Sequence, residues 1–204
     1  MPDKQRMHAF IDETFTAPVR ADFRSFYLLA VTLVPHSELG SLRELLLEIN
    51  GHDYFHSREL LQTAAGQRHL LRVTGSLPAT LKHVVRHTEP LRLDDRLAEG
   101  ARAAMLRAVT FEILHSEDLE IVEIVYEVRL KGAQSQADAR TFSGIREAHP
   151  ELVVRPRTPR DERLLWVPDL VATAVRQKLL HDRSQYELLL GSTLDARKIQ
   201  MPIK

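Results

Sequence analysis

The stretch Met7-His8-Ala9-Phe10-Ile11-Asp12-Glu13-Thr14 is a short apolar run that ends on an acidic pair. It reads as a β-strand over residues 7–11 that carries a carboxylate at its C-terminal end. A second acid stands far away in sequence, in Leu164-Leu165-Trp166-Val167-Pro168-Asp169-Leu170-Val171-Ala172. Pro168 suits the first turn of a helix, where its missing N–H costs nothing. An aspartate beside it is favoured by the helix dipole. Taken singly, each acid has an adequate structural explanation, since aspartate commonly closes strands and caps turns. Taken together, two acids on rigid elements from opposite ends of the chain suggest a site assembled by folding.

Working outward, residues 26–34 (Phe-Tyr-Leu-Leu-Ala-Val-Thr-Leu-Val) are almost continuously apolar and suit a strand buried on both faces. Leu39, Leu42, Leu45, Leu46 and Ile49 recur at helical spacing, which predicts a helix over 37–50 closed by Gly51. Ser41 with Glu44 also matches a capping box, one turn later. Residues 52–56 read as a short strand or loop, and Ser57 is a candidate N-cap for a helix from Arg58. Gly66 interrupts that helical segment, which resumes over 67–73. Residues 80–87 read as a strand. A helix is expected from Asp94 or Asp95 to about Leu114, with Leu97, Ala101, Ala104, Met105, Ala108 and Phe111 as its apolar stripe. Residues 121–129 alternate most clearly of all and place Glu123, Val125 and Glu127 on one face. A loop over 131–139, a helix over 138–148, a last strand over 152–155 and a final helix from about Pro168 complete the reading. Strands alternating with helices, without repeat or linker, predict a single α/β domain over residues 1–204, a mixed sheet flanked by helices.

The chain has 204 residues with no cysteine, which excludes thiol catalysis and cysteine-type zinc sites within it and is compatible with a reducing cytoplasm. No apolar stretch is long enough to span a bilayer, and no apolar region follows the polar residues 1–6, so neither a membrane span nor a secretory signal is expected. Lys+Arg and Asp+Glu both number 28, so no global basic field attracts nucleic acid, although a local patch stays open. Phosphate-binding glycine loops and G-x-S-x-G elbows are absent. His56 and Glu59 share a face if their helix begins early. His52/His56 and His83/His87 have a His-x3-His spacing, but ten histidines make such spacings expected by chance, and H-E-x-x-H is absent.

In order and spacing these segments resemble the bacterial family designated domain of unknown function 3800. Its opening I-D-E-S is matched by Ile11-Asp12-Glu13-Thr14, and its histidine-plus-acid segment by Phe55-His56-Ser57-Arg58-Glu59-Leu60. Its acid-ended central strand is matched by the strand ending at Glu127, and its closing L-Q-x-A-D-L-V-A by the eight residues from Leu165 to Ala172. Thr14, Trp166, Pro168 and Glu127 depart from the family's serine, glutamine, alanine and aspartate. The resemblance implies a ribonuclease H-like fold and a phosphodiester hydrolase of nucleic acid. It implies Asp12, Glu127 and Asp169 as ligands of Mg²⁺ or Mn²⁺, with Glu59 or His56 completing the shell or handling protons. Two rival readings stand beside it: an inactive relative serving as a binding module, and an unrelated enzyme with a histidine-bound metal.

Overall fold

In a computed structural model, residues 4–20, 24–53, 55–95, 97–129 and 131–200 are described. Residues 1–3, at the head of the polar N-terminus, and Tyr54, within the expected 52–56 segment, lie outside them.

Six strands form one mixed sheet: β1 (Gln5–Thr16), β2 (Phe26–Pro35), β3 (Lys82–Thr88), β4 (Leu119–Glu127), β5 (Val153–Arg157) and β6 (Leu194–Lys198), in the order β5-β4-β1-β2-β3-β6. β2 pairs antiparallel with both β1 and β3, whereas β1–β4, β4–β5 and β3–β6 are parallel. Thus β2 alone runs against the other five. Every residue of β2 is buried, as its unbroken apolar run requires of a central strand covered on both faces.

Helices cover both faces. On one, α1 (Leu39–Asn50), α3 (Ala64–Gly75), α6 (Trp166–His181) and α7 (Gln185–Leu190) enclose a core with Phe10, Phe26, Leu28, Ala30 and Val125. On the other, α4 (Glu99–Leu114) and α5 (Gly132–Ala148) enclose Met7, Ile11, Tyr27, Leu29, Val31 and Tyr126. The period-2 alternation of β1 and β4 therefore sorts their side chains between two cores. The short helix α2 (Ser57–Leu60) joins α1 to α3. Gly66 does not interrupt α3. Thr63 Oγ1 accepts from its N–H, and a Cβ there would stand 2.1 Å from the Leu60 carbonyl oxygen, so only glycine permits this approach.

Several expectations need correction. β1 continues past Asp12 because pairing with β2 extends to Thr16–Phe26, although pairing with β4 ends at Ile11–Tyr126. α1 begins before Ser41, whose hydroxyl donates to the Glu38 carbonyl rather than capping. α4 begins at Glu99, and the Asp95 carboxylate accepts from the Ala101 N–H. Its buried face carries Arg102, Met105, Leu106, Val109 and Ile113, while Leu97 and Phe111 are exposed. The helix is rotated from the expected stripe because Arg102 turns inward to buried acids. α5 begins at Gly132, where a loop was expected. Its polar residues bond inward: Gln134 to Glu99, Ser135 to the Arg129 carbonyl, and Asp138 to two arginines. β5 is not the last strand, nor α6 the last helix, since α7 and β6 follow.

Candidate active site

Register fixes where the acids go. Phe10 pairs with Val125 and Ile11 with Tyr126, so the next step along the parallel strands brings Asp12 beside Glu127. Phe10 and Val125 belong to the core under α6. By the same alternation Asp12 and Glu127 point to that side. There Asp169 projects from the first turn of α6. Asp12, Glu127, Asp169 and His56 line one cleft of about 650 Å³, outside the carboxyl ends of β1 and β4.

Burial, with Asp169 and then Glu127 as close like charges, raises the Asp12 pKa well above its ordinary value. The Asp12 and Glu127 carboxyls lie close together, and this contact adds to the rise of Asp12. Burial also raises Glu127, a rise opposed by its contact with Asp12. Arg102 lies beneath and favours the charged form of both acids.

Glu13 was the other half of the acidic pair. The pleat sends it to the opposite face, where it ion-pairs with Arg102. Arg102 is 3% exposed and donates to both oxygens of Asp138, at 2.7 and 3.0 Å. Arg129 donates to the same carboxylate and to Glu99. A buried ion network thus supports the floor of the cleft.

Asp169 is fixed by Ser57, whose N–H donates to Oδ2 at 2.9 Å and whose hydroxyl donates to Oδ1 at 2.7 Å. Thr173 Oγ1 lies 2.5 Å from the same hydroxyl. Ser57 is completely buried, and it does not cap its helix. His56 Nδ1 lies 3.6 Å from Asp169 Oδ2, and the proximity of that carboxylate raises the His56 pKa. Glu59 faces an adjoining recess with His52 and His69, although its charge also favours protonated His56. Sequence reading missed Ser57 as a functional residue because an N-cap role explained it sufficiently.

The cleft walls are informative. Trp166 does not fill the cleft: its ring stacks on Phe55 at 5.6 Å and its Nε1 donates to the Pro159 carbonyl at 2.9 Å. Arg58, Arg160 and Arg176 line the opening, and Arg176 donates to Thr14 Oγ1 at 2.9 Å. Arg176 follows Asp169 by seven residues, two helical turns, so its place on the same face was readable in the sequence. Burial and then Arg58 lower the Arg176 pKa, which marks a concentration of positive charge.

Among the described residues, no three acids or histidines stand in the arrangement of a ready-made metal cage. Nor do the two His-x3-His spacings make one: His83 is buried on β3 and bonded to Thr32 at 3.1 Å.

No protein-family model and no curated protein matches the sequence. Solved structures do. The ribonuclease H2 from Pyrococcus horikoshii OT3 superposes on 93% of this chain and 81% of its own, with a TM-score of 0.53 and 12% identity. Bst-RNase HIII in complex with Mn²⁺ aligns over 84% of this chain and 52% of its own, with a TM-score of 0.46 and 14% identity, and adds nothing to the assignment. The six-stranded mixed sheet between two helical layers is a ribonuclease H-like α/β fold.

Proposed function

We propose that this chain is a metal-dependent phosphodiester hydrolase acting on nucleic acid, and a member of the domain of unknown function 3800 family. One observation carries the reading: strand register and the first turn of α6 bring Asp12, Glu127 and Asp169 to one arginine-rimmed cleft.

The residues fit a hard divalent cation by their chemistry. All three offer carboxylate oxygens, the ligands Mg²⁺ and Mn²⁺ take. Burial and the like charges of Asp169 and Glu127 disfavour a negative Asp12, so this cluster calls for a positive counter-charge. Asp12, Glu127 and Asp169 would hold the ion. Once bound, it would supply an activated water, an oriented phosphodiester and a stabilised leaving oxygen.

The chain's own groups supply the rest. Ser57 keeps Asp169 aimed into the cleft through two hydrogen bonds. His56, protonated more readily because of Asp169, holds a proton at the cleft edge for a leaving oxygen. Arg58, Arg160 and Arg176 meet the phosphates flanking the scissile bond, a local basic patch on a chain of zero formal net charge. Trp166 and Phe55 form a rigid apolar wall.

The test is cleavage of single-stranded, double-stranded and hybrid substrates with Mg²⁺ or Mn²⁺, alongside Asp12→Asn. Cation-dependent cleavage that the substitution abolishes is expected. Cleavage that survives chelation, or that Asp12→Asn leaves unchanged, would overturn the proposal.

A further inference from the structure

The geometry points to a second cation site, for a transition metal that favours imidazole such as Zn²⁺ or Cu²⁺, formed by His8 and His36 with Glu123 behind them. His8 lies on β1 on the same face as Asp12 but four residues earlier, about 13 Å along the strand. None of the acids assigned above takes part in it.

The histidines meet nitrogen to nitrogen. His8 Nε2 and His36 Nδ1 are 2.9 Å apart, while the ring centroids are 5.1 Å apart. The contact is a hydrogen bond between rings inclined by 24°, with the two nitrogens facing each other, so a metal takes the place of the hydrogen between them once that hydrogen moves to the other nitrogen of His36.

The tautomer of His8 follows from its other neighbour. Glu123 Oε2 lies 2.9 Å from His8 Nδ1, and Glu123 Oε1 faces Arg155 Nε at 3.1 Å. A carboxylate engaged in this way accepts, so Nδ1 of His8 carries the hydrogen and Nε2 presents its lone pair. A carboxylate behind a histidine, fixing tautomer and ring angle, is the usual support of a metal-ligating imidazole.

Little movement is needed. Zinc–nitrogen bonds of about 2.0–2.1 Å at a tetrahedral angle place two ligating nitrogens about 3.3–3.4 Å apart. The observed pair therefore has to widen by roughly 0.4–0.5 Å. His8 is 8% exposed and held by Glu123, whereas His36 is exposed on the turn after β2 and has room to shift. In the metal-bound state His36 carries its hydrogen on Nε2, toward solvent, and waters complete the coordination.

Charge does not oppose the site. Arg155 is paired with Glu123, and Arg43 with Glu162 at 2.6 Å, so the cluster has two positive and two negative partners. The chemistry also separates this site from the acidic cleft: nitrogen ligands favour zinc and copper, carboxylate oxygens favour magnesium and manganese.

The experiment titrates the full-length Asp12→Asn chain, which lacks a complete acidic centre, with Cu²⁺ followed by electron paramagnetic resonance and with Zn²⁺ by calorimetry. One saturable site with hyperfine structure from two nitrogens is expected. His36→Ala, an exposed substitution whose fold is checked by circular dichroism, removes that site. Glu123→Gln weakens it about 10- to 100-fold. An oxygen-only spectrum, no saturable binding, or binding unaffected by His36→Ala overturns the inference.

Discussion

Asp12→Asn should make the metal-free protein more stable. In the wild type, Asp12 is 8% exposed and faces Glu127 and Asp169, and burial with these like charges raises its pKa well above the ordinary value. An asparagine amide occupies the same place with no negative charge to bury beside Glu127 and Asp169. Each unit by which a carboxyl pKa is raised costs about 1.4 kcal/mol, counted only up to the working pH. Relieving that buried like-charge contact, partly offset by Arg102, is expected to gain roughly 1–3 kcal/mol, the scale of one unsatisfied buried polar group. For a chain of this size that raises Tm by about 2–10 °C. Mn²⁺ should do the reverse of discriminating in the variant's favour: at 100 times its Kd it stabilises the wild type by about 2.7 kcal/mol and the variant scarcely at all. Thermal melts with chelator and with Mn²⁺ give both numbers. Asp12→Asn melting below wild type in chelator, or Mn²⁺ raising both proteins equally, would be incompatible with a buried acidic cluster that binds the cation.

Further outcomes follow from other contacts. Ser57→Ala removes the hydroxyl from Asp169 and should lower Mn²⁺ affinity or kcat by about 10- to 100-fold while Ser57→Thr restores most of it, as measured by calorimetry and substrate cleavage. Arg102→Met leaves Glu13 without its buried partner and Asp138 with Arg129 alone, and should cost about 3–5 kcal/mol in denaturant unfolding, the largest loss expected among these substitutions. Burial lowers the His83 pKa to about 4 from 6.5, so the unfolded chain binds its proton first. Stability is then intact above pH 6.5 and falls as pH drops toward 4, by at most about 3 kcal/mol, a loss that His83→Gln should reduce in acid-unfolding curves.

The sheet's central strand and its two flanking acids were legible because continuous apolarity and strand-end carboxylates are local signals. The apolar run of residues 26–34 was read as buried on both faces, and it is. Glu123, Val125 and Glu127 were read on one face, and the structure places them so, with Glu123 reaching His8 and Glu127 reaching Asp12. Other features depend on partners far away in sequence. Nothing near Arg102 announces that a guanidinium will turn inward, yet Glu13 and Asp138 make that rotation favourable and shift the apolar stripe of α4. The polar opening of α5 resembled a loop for the same reason: its hydrogen-bond partners come from Glu99 and Arg129. Ser57 followed a valid local rule for helix caps, but a carboxylate 112 residues away claimed both its donors. The strand β6 was missed because its five residues, Leu-Asp-Ala-Arg-Lys, carry almost no apolar pattern and are held at the sheet edge by pairing with β3.

Three carboxylates from β1, β4 and α6 are proposed to hold one divalent-cation centre. A crystal of the protein grown with Mn²⁺, with anomalous data collected at the manganese edge, tests it most directly. A peak bounded by the carboxylates of Asp12, Glu127 and Asp169 is the predicted result. No peak in that cleft at saturating Mn²⁺ would contradict it.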